Sequence, residues 1–499
     1  MANARTAVVV GSGPNGLAAA VRLAGHGVRV TVLEAAENPG GGARTSELTL
    51  PGLLHDVCSA VHPFGVASPY LATLPLAEHG LRWRWPEIDL VHPLADGSAG
   101  VLVGDVDRTA AGMGADADAW RRVFGPLART FDTLAPEVLG PLLRVPRHPV
   151  ALARFGLRAG LPATVLAKAF RTPQARALLM GCAAHLFQPL NRPLSASVGV
   201  MLIAAGHRHG WPVAEGGSQA ITSALVSLLR ERGGTIEFNT PVRSFADLPP
   251  ADVTLFDTTP QAAAEILGER LGSRRRRRYR SYKFGPAAFK VDLAVREGIP
   301  WTNESARRAG TVHLGGTAGE VAAAEAAVVA GRMPERPLVL VGQQYLADST
   351  RSVEGVHPVW AYAHVPSGYD GDATEVVLDQ IEAYAPGFRR RIAAVHATSP
   401  AEYENYNLNY VGGDIGGGAN TPLQMVGRPG FGLDPYATGV DGMFLCSAST
   451  PPGAGVHGMC GAGAAASALR SLGIDVQQIG RRLIYPQRTH HLRGPWPVR

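Results

Sequence analysis

The chain has 499 residues, of which 46% are hydrophobic and 18% charged, with a formal net charge of +6; this is enough chain for two or three domains around a large core. Four scattered cysteines (Cys58, Cys182, Cys446 and Cys460) form no Cys-x-x-Cys pair, which argues against a disulfide framework, a zinc site and a dithiol redox centre. No apolar run reaches the roughly 20 residues of a spanning helix. No secretory signal pattern and no metal-ligand spacing are present, so the sequence predicts a cytoplasmic, metal-free protein.

The first residues follow the pattern of a dinucleotide-binding βαβ unit. A short β-branched run enters Gly11-Ser12-Gly13-Pro14-Asn15-Gly16, a helix-forming stretch follows, and a second apolar strand ends in Glu34. Gly11 permits the tight turn, Gly13 the approach of a pyrophosphate, and Gly16 close packing of the helix on the sheet. The helix start offers unpaired N–H groups to phosphates, and Glu34 is placed to accept hydrogen bonds from ribose hydroxyls. The predicted cofactor contacts here are Gly11, Gly13, Pro14, Asn15, Gly16 and Glu34.

The segment after the acid distinguishes between cofactors. Asn38–Thr45 contains Gly40-Gly41-Gly42, which can bring backbone N–H groups to a diphosphate, while Arg44 adds a positive charge; a plain turn is the alternative. Further along, Trp211–Gln219 precedes a helix, a glycine turn and a strand, and Ala251–Asp257 would return the chain to the nucleotide domain. No second strand–G-x-G-x-x-G–helix unit occurs, so we expect no separate NAD(P) domain.

The C-terminal part carries a second glycine-rich connection. A last strand, Gly442–Ala448, leads into Ser449–Gly463, which is rich in Gly, Ala and Pro, and then into an alanine-rich helix. Small residues are needed where backbone lies close under an isoalloxazine ring, and the helix start at Gly458–Gly461 can aim N–H groups at a flavin carbonyl. A connection without such a function is the alternative.

These motifs, together with Ser59–Pro63, Trp360–Pro366, Tyr384–Phe388 and Gly412–Gly418, resemble the phytoene desaturase-related flavoproteins. That group includes carotenoid desaturases and isomerases, retinol saturase-like enzymes and pyridine-nucleotide-disulfide-oxidoreductase-domain proteins, and the middle motifs are most similar to the last branch. The resemblance implies FAD and redox or isomerisation chemistry at carbon–carbon double bonds. The implied FAD contacts are Gly41, Gly42, Ala43, Arg44, Val242 through its backbone, Ser449, Gly455, Val456, Gly458 and Met459.

The sequence departs from the desaturase pattern at two positions. Ala43 stands between the glycine pair and Arg44, where those enzymes usually continue with arginine at once. Ser449 stands where many related flavoproteins have an acid facing the ribityl chain. Both departures bear on the carotenoid assignment rather than on FAD binding.

Two histidines are candidates for acid–base chemistry. His457 lies in the loop expected beside the flavin and His62 in a loop expected to face it, and either could act as a general base near neutral pH. The alternative for each is a histidine that fixes its own loop through backbone hydrogen bonds. The predicted substrate-lining residues, for which a structural turn or flavin cover is the alternative, are Tyr362, His364, Tyr406, Asn409 and Asp414.

Positive charge is concentrated in the middle of the chain. Residues 138–214 contain eight Arg and Lys168 but no Asp or Glu, mixed with apolar stretches. Such a face is compatible with the headgroups of an anionic membrane, on the inner side if the protein is cytoplasmic, and also with an ordinary helical subdomain. Arg274–Arg278 is expected in a solvated loop or at the same lipid surface, not on nucleic acid. The preference for Arg over Lys is typical of a bacterial genome rich in G and C.

We therefore predict an α/β protein with a Rossmann-type FAD-binding domain, similar to glutathione reductase and amine oxidases, and an interleaved α+β substrate domain. The FAD domain is expected to be discontinuous, over residues 1–75, 211–275 and 432–480. It would enclose a helical, basic insertion over 76–210 and a sheet-containing substrate domain over 276–431.

The predicted function is that of an FAD-dependent, phytoene desaturase-like dehydrogenase. It would desaturate, saturate or isomerise carbon–carbon bonds of an apolar, isoprenoid- or lipid-like molecule by hydride exchange with flavin N5, and pass electrons to or from oxygen, a quinone or a partner protein. The alternatives are a flavin amine oxidase and a flavoprotein scaffold without turnover. The substrate, the reaction direction and the oligomeric state stay open.

Overall fold

The computed structural model describes residues 5–476, and the following elements belong to this part of the chain. The strands are β1 (Thr6–Val10), β2 (Arg29–Leu33), β3 (Thr45–Ser46), β4 (His55–Asp56), β5 (Trp83–Arg84), β6 (Ile88–Pro93), β7 (Ala99–Leu102), β8 (Val213–Ala214), β9 (Thr235–Glu237), β10 (Val253–Phe256), β11 (Ala287–Arg296), β12 (Ala309–Leu314), β13 (Val339–Gly342), β14 (Val356–Val365), β15 (Ile392–Thr398) and β16 (Met443–Leu445). The helices are α1 (Pro14–Ala24), α2 (Pro63–Val66), α3 (Val106–Ala111), α4 (Ala117–Arg129), α5 (Phe131–Val138), α6 (Pro149–Ala159), α7 (Ala163–Leu166), α8 (Pro173–Ala184), α9 (Ser197–His209), α10 (Gln219–Glu231), α11 (Pro260–Leu267), α12 (Ser273–Arg280), α13 (Ala318–Val329), α14 (Thr374–Tyr384), α15 (Pro400–Tyr406), α16 (Pro422–Gly427) and α17 (Met459–Ser471).

A parallel sheet in the order β16-β10-β1-β2-β9 forms the nucleotide domain. Most of its strands are short, apolar and covered on both faces, as expected for an all-parallel sheet. Side chains of β1 alternate between the faces. Ala7 and Val9 pack with α1, α10 and α17, whereas Val8 and Val10 pack with α11 and α12. The predicted Rossmann-type α/β fold is confirmed.

The carboxyl ends of these strands meet at one edge of the sheet. β1 runs into Gly11, β2 into Glu34, β10 into Asp257 and β16 into Cys446. Ligands of open parallel sheets bind at this edge, outside the carboxyl ends of the strands. Three separate parts of the chain therefore build one cofactor-binding edge.

A second, mixed sheet has the order β15-β11-β14-β13-β12-β6-β7. Along β11, Phe289, Val291 and Leu293 belong to a core shared with α14, on one face of the sheet. The opposite face carries Lys290 and Asp292, which are fully buried and form an ion pair. This polar face points towards the helices of the central insertion.

Residues 76–210 were predicted to form a helical, basic insertion. The prediction that this segment is helical throughout is wrong, because it also contains strands. Strands β6 and β7 form a hairpin, and β6 pairs in parallel with β12, so this part of the insertion belongs to the substrate sheet. The sequence Ile88–Pro93 is apolar and buried throughout, which favours a central strand. The helices α3 to α9 follow, and α8 packs on the hairpin.

Two further sequence expectations concern charged and apolar segments. Arg274–Arg278 lies in α12 rather than in a loop, and Arg275 donates to the carbonyl of Ala437 at 2.9 Å. Among residues 5–476, no single helix is long and apolar enough to cross a membrane; one pair bent by 89°, Pro149–Ala159 with Ala163–Ala169, meets the length and composition criteria together. Residues 477–480 of the predicted FAD domain lie outside the described residues.

Candidate cofactor and substrate site

The glycine loop after β1 is stabilised by contacts with α1 and with Asp257. Gly11 has φ +99°, a conformation that favours glycine. A Cβ on Gly16 would lie 2.2 Å from the Gly11 carbonyl oxygen, so helix α1 approaches the loop as closely as glycine allows. The N–H of Gly16 donates to Oδ2 of Asp257 at 2.8 Å. The loop therefore has the close packing that a pyrophosphate-binding turn requires.

Burial raises the pKa of Asp257 to about 7, and the nearby negative charge of Glu34 acts in the same direction. The hydrogen bond from Gly16 opposes this shift only in part. A carboxyl group that is protonated near neutral pH thus lies at the edge where the diphosphate is expected. This role of Asp257 was not predicted, because an Asp at the end of a strand is common and marks no particular function.

Glu34 is fixed by the backbone around it. Its Oε2 accepts hydrogen bonds from the N–H of Ser12 at 2.8 Å and from the Ser12 hydroxyl. Its Oε1 accepts from the N–H of Ala36 at 2.9 Å, and Arg44 lies 3.7 Å away. Each carboxylate oxygen can accept more than one hydrogen bond, so Glu34 is oriented and retains capacity for a ribose hydroxyl.

The glycine turn at Gly41 and Gly42 is covered by the end of α15 and the segment that follows it. The hydroxyl of Tyr406 donates to the carbonyl of Gly41 at 2.7 Å, and the Arg44 guanidinium lies 5.2 Å from the centre of the Tyr406 ring. A Cβ on Gly42 would lie 1.9 Å from the Tyr410 hydroxyl oxygen. Tyrosines of the substrate domain therefore close over the turn of the nucleotide domain.

The same covering segment reaches the other side of the loop. Asn409 donates to the carbonyl of Asp257 at 3.0 Å and accepts from the N–H of Thr259 at 3.0 Å. Asp414 accepts hydrogen bonds from the N–H groups of Gly285, Gly416 and Gly418 at 2.7–3.0 Å, while burial raises its pKa. The polar, aromatic cluster around 406–414 thus joins the domains at the cofactor edge and also lines the cavity.

The connection after β16 includes a buried cation that the sequence analysis missed. The Ser449 hydroxyl donates to the carbonyl of Gly417 at 2.8 Å. Arg428 is 2% exposed and donates to the carbonyl of Ala448 and to Asn420, and its Nε has no hydrogen-bond partner among residues 5–476. A buried guanidinium on the cavity wall can bind an anionic or carbonyl group. Arg428 lies in an irregular Gly/Pro-rich segment, and no local motif marks it.

The two candidate bases, His457 and His62, differ in the hydrogen bonds that their rings make. His457 Nδ1 accepts the N–H of Met459 at 3.0 Å, so the neutral ring carries its proton on Nε2, for which the described part of the chain offers no hydrogen-bond partner. His457 therefore presents a donor in its neutral form. His62 Nε2 lies 2.8 Å from the Ser218 hydroxyl. Burial lowers the pKa of each ring to about 4, so both are neutral at pH 7.

One cavity of about 1080 Å³ connects these features. This volume lies just above the usual range of ligand pockets, about 300–1,000 Å³, as expected for a cavity that holds a cofactor and a second molecule. Beyond the cofactor edge, its walls are formed by Leu139, Leu152, Phe155, Met201 and Leu340. The sequence-predicted site residues on its surface are Gly11, Gly13, Pro14, Asn15, Glu34, Gly41, Gly42, Arg44, His62, Val242, Tyr362, Tyr406, Asn409, Asp414, Ser449, Gly455, Val456 and His457.

Some predicted site residues lie behind the cavity surface. Gly16, Ala43, Gly458 and Met459 support the loops but do not line the cavity. The prediction that His364 lines the substrate cavity is wrong. The His364 ring is fully buried and stacks on Phe187 with the ring centres 3.8 Å apart, and Phe187 is the residue of this pair that lines the cavity.

The residues present fit FAD. The glycine loop, the Gly41–Gly42 turn and Glu34 supply backbone donors and a ribose acceptor at one edge of the sheet. Arg428 and His457 line the same cavity at the C-terminal connection. In the described residues, no group of three or more His, Cys, Asp or Glu side chains could hold a metal ion.

Solved structures share the fold along nearly the whole chain. An oxidoreductase from Methanosarcina mazei has a TM-score of 0.60 at 15% identity, covering 93% of this chain and 100% of that one. A redesigned putrescine oxidase has a TM-score of 0.59 at 16% identity, covering 94% and 99%. At these identities the likeness concerns the fold.

The fold and the glycine-rich edge define an FAD-dependent oxidoreductase, and the NAD(P)-binding Rossmann-like domain family matches residues 9–74. A phytoene desaturase (neurosporene-forming) of Rhodobacter capsulatus is 24% identical over 511 aligned residues, 92% of each chain. A hydroxyneurosporene desaturase of Cereibacter sphaeroides is 30% identical over 259 residues, 47% of this chain and 49% of that protein. The chain is an FAD-dependent oxidoreductase that is similar in sequence to these desaturases.

A third relative matches a shorter segment. Pyridine nucleotide-disulfide oxidoreductase domain-containing protein 2 of Mus musculus is 38% identical over 97 residues. The match covers 19% of this chain and only 16% of the mouse protein.

Proposed function

We propose that the protein changes the bond order or geometry of carbon–carbon bonds in an apolar, isoprenoid- or lipid-like molecule. The observation that carries this proposal is the continuity of one cavity from the cofactor edge to walls of aliphatic and aromatic side chains. An apolar molecule in such a cavity is held by burial of its surface, not by directed hydrogen bonds. The curated relatives named above act, by their names, on phytoene and hydroxyneurosporene, which agrees with this class of substrate.

FAD, when bound, supplies two-electron oxidation or reduction. The protein contributes position and environment. The covering tyrosines and Asn409 hold the two domains together at the cofactor edge, Glu34 and the glycine turns orient the dinucleotide, and the apolar walls exclude water from the reacting carbons. Because His62 and His457 are neutral at pH 7, neither places a positive charge beside the substrate.

We further propose that the protein acts at the surface of an anionic membrane, on the inner face of that membrane. Around α6 the protein exposes apolar side chains, with Val145 91% exposed and Leu157 74% exposed. A shallow groove connects the neighbouring Leu142 and Leu143 to Phe431, which is 51% exposed. We call these five residues the apolar rim. Leu142 belongs both to this rim and to the cavity wall, which supports entry of an apolar substrate from the lipid.

Charge supports the choice of an anionic lipid surface over a protein partner. Arg147 and Arg154 are exposed beside the apolar rim and make no ion pair among residues 5–476. The local sequence has no acid from residue 138 to 214. Each such cation near an anionic surface contributes about 1 kcal/mol to binding.

The alternative of a scaffold without turnover predicts a closed cavity, whereas the cavity of this protein extends to the rim. The deciding experiment is to record the visible spectrum of the purified, FAD-loaded protein and to add membrane lipid extract without oxygen. Bleaching of the oxidised-flavin band near about 450 nm is expected if a lipid fraction contains an oxidisable substrate. Reduced flavin that is reoxidised by such a fraction would identify a saturase. No flavin response in either direction, together with unchanged double-bond geometry in the extracted lipids, would contradict the proposal.

A further inference from the structure

The hydrogen bonds around Ser218 fix which ring nitrogen of His62 carries the proton. The Ser218 hydroxyl lies 2.5 Å from the carbonyl oxygen of Ser59, and because a carbonyl has no proton to give, the hydroxyl is the donor. Its single proton is thereby used, so it can only accept from His62. Nε2 of His62, 2.8 Å away, is therefore the donor in that contact. The neutral ring carries its proton on Nε2 and has a lone pair on Nδ1.

This lone pair faces the cavity. His62 lines the cavity, and within residues 5–476 its Nδ1 has no hydrogen-bond partner. Nδ1 is not enclosed by protein, in contrast to the unpartnered Nε2 of His457. The two histidines therefore have opposite characters in their neutral forms: His62 offers an accessible acceptor, whereas His457 carries an enclosed donor.

A buried ion pair holds the serine that orients the ring. The N–H of Ser218 donates to Oδ1 of Asp56 at 2.6 Å, and Oδ2 of Asp56 accepts from Arg351 at 2.5 Å. Asp348 accepts from the same guanidinium at 3.0 Å. Arg351 and Asp56 are each 1% exposed. Ser218 and Asp56 are thus positioning residues for His62, and Arg351 ties them to the substrate domain.

The same groups set the charge of the ring. Burial lowers the pKa of His62 to about 4; the negative charge of Asp56 acts in the opposite direction, and the positive charge of Arg351 lowers the pKa further. At pH 7 the ring is neutral, so its Nδ1 lone pair is available without prior loss of a proton.

We propose that Nδ1 of His62 is the proton acceptor in the reaction, and that the reaction therefore proceeds in the direction of desaturation. This inference rests on the proposed function and specifies both a residue and a direction for it. Saturation would require a proton donor at this position, and the neutral tautomer of His62 has none there.

The atoms and electrons balance as follows. Conversion of a carbon–carbon single bond to a double bond removes one hydrogen from each carbon. One hydrogen leaves with its bonding electron pair, as hydride, to oxidised FAD, the oxidant of the proposed function. The other leaves as a proton to Nδ1, and its bonding pair forms the new π bond. His62 becomes an imidazolium.

A weak base is sufficient for this step. Departure of hydride leaves an electron-deficient carbon, which makes the hydrogen on the neighbouring carbon strongly acidic. A base that stays unprotonated at pH 7 is then more useful than a stronger base that would already carry a proton. Because the cavity extends to the apolar rim, water that enters when the product leaves can take the proton from the imidazolium.

The first test reads the ring of His62 directly, by nitrogen-15 NMR at pH 7 of FAD-loaded protein with labelled histidine. His62 should show a protonated Nε2 and an unprotonated Nδ1. Ser218→Ala removes the orienting acceptor, so both tautomers should become populated, and Ser218→Thr should restore the single tautomer. Ser227→Ala is the matched control, since the Ser227 hydroxyl lies 2.9 Å from His79, which does not line the cavity.

The second test measures the rate at which membrane lipid extract bleaches the flavin without oxygen. His62→Phe, or His62→Gln if the first variant does not fold, should lower this rate at least about 100-fold at unchanged FAD content. Ser218→Ala should lower it less, and Ser218→Thr should recover most of the loss. His79→Phe should bleach at the rate of the unmodified protein.

Three results would overturn the proposal. The first is a protonated Nδ1 in the unmodified protein, because the lone pair would then be lost. The second is bleaching of the His62 variants at the unmodified rate. The third is an extract that reoxidises reduced flavin but does not bleach oxidised flavin. The NMR measurement needs no substrate, so its failure is distinct from a failure of the proposed function, in which the unmodified protein itself does not respond to the extract.

Discussion

The carboxyl group of Asp257 accepts a hydrogen bond from the backbone N–H of Gly16 at 2.8 Å, beneath the loop that surrounds the diphosphate position. An ionised carboxylate here would repel a diphosphate, whereas a protonated carboxyl would not. The pKa of Asp257, raised to about 7 by burial, makes this difference accessible at ordinary pH. Cofactor affinity and protonation of Asp257 are therefore coupled.

The first prediction concerns this coupling. FAD binding should weaken as pH rises above about 7. The Kd should increase by up to roughly a factor of ten per pH unit. Asp257→Asn accepts the same N–H but carries no charge, so it should bind FAD with little dependence on pH between 6 and 9. Quenching of flavin fluorescence on titration measures both. Parallel pH profiles for the two proteins would contradict the coupling.

Asp257 also affects the stability of the protein without FAD. Its folded-state pKa of about 7 exceeds the ordinary value of 3.8, so the folded state binds a proton that the unfolded chain has released. Its stabilising contribution is complete below pH about 4 and is lost as pH rises through about 7. In Asp257→Asn, the free energy of unfolding from urea curves should no longer show this loss of stability as pH rises from about 4 through about 7. An unchanged pH dependence in the variant would argue against it.

The second prediction concerns the cover over the Gly41–Gly42 turn. Gly42→Ala should displace the Tyr410 hydroxyl and loosen the turn, and we expect FAD to be lost readily on gel filtration. The double variant Gly42→Ala with Tyr410→Phe should recover much of the retention, because the remaining ring carbon would lie 3.3 Å from the added Cβ. Equal FAD content in all proteins would show that the contact does not matter for the cofactor.

The third prediction concerns the apolar rim and its arginines. Replacing both Arg147 and Arg154 by Gln should weaken binding to vesicles that contain phosphatidylglycerol by about 2 kcal/mol, roughly 30-fold. Binding of the unmodified protein should fall as salt increases. Flotation with vesicles of anionic and of neutral lipid measures the effect. Arg307→Gln with Arg332→Gln, in the substrate domain, is a charge-matched control that should bind normally.

The fourth prediction concerns the buried pair of Lys290 and Asp292 on β11. Asp292 also lies 3.3 Å from Nδ1 of His55, so the pair bridges the sheet and β4. Lys290→Met should lower the free energy of unfolding by about 3–5 kcal/mol, because it leaves a buried carboxylate without its main partner. Lys290→Met with Asp292→Leu should be less destabilised than the single variant. Chemical unfolding of the three proteins measures this order, and a reversed order would contradict it.

The sequence predicted the nucleotide domain because its signals are local. The loop around Gly11 and Gly16, the flanking strands and Glu34 occupy one stretch of some thirty residues, and each has a specific physical requirement. The covering segment was visible as a polar, aromatic cluster, yet its contact joins Tyr406 to Gly41 across 365 positions. Such a pairing depends on how the domains dock, which spacing does not reveal.

Other features were missed for related reasons. The buried His92, His313 and His364 come from three separate strands, so the intervals between them in the sequence carry no information about their proximity. His364 was expected in the cavity because it alternates with Tyr362 on a strand, but Phe187 of the insertion covers it. The hairpin β6–β7 was assigned to a helical insertion because the basic, apolar composition beyond it dominated the segment.

The contact of Tyr406 and Asn409 with the nucleotide domain couples the domain interface to the cofactor edge. These side chains hydrogen-bond directly to the cofactor loop and to the end of β10. A change that separates the two domains would break the same hydrogen bonds that shape the cofactor loop, so it would disturb the dinucleotide site as well.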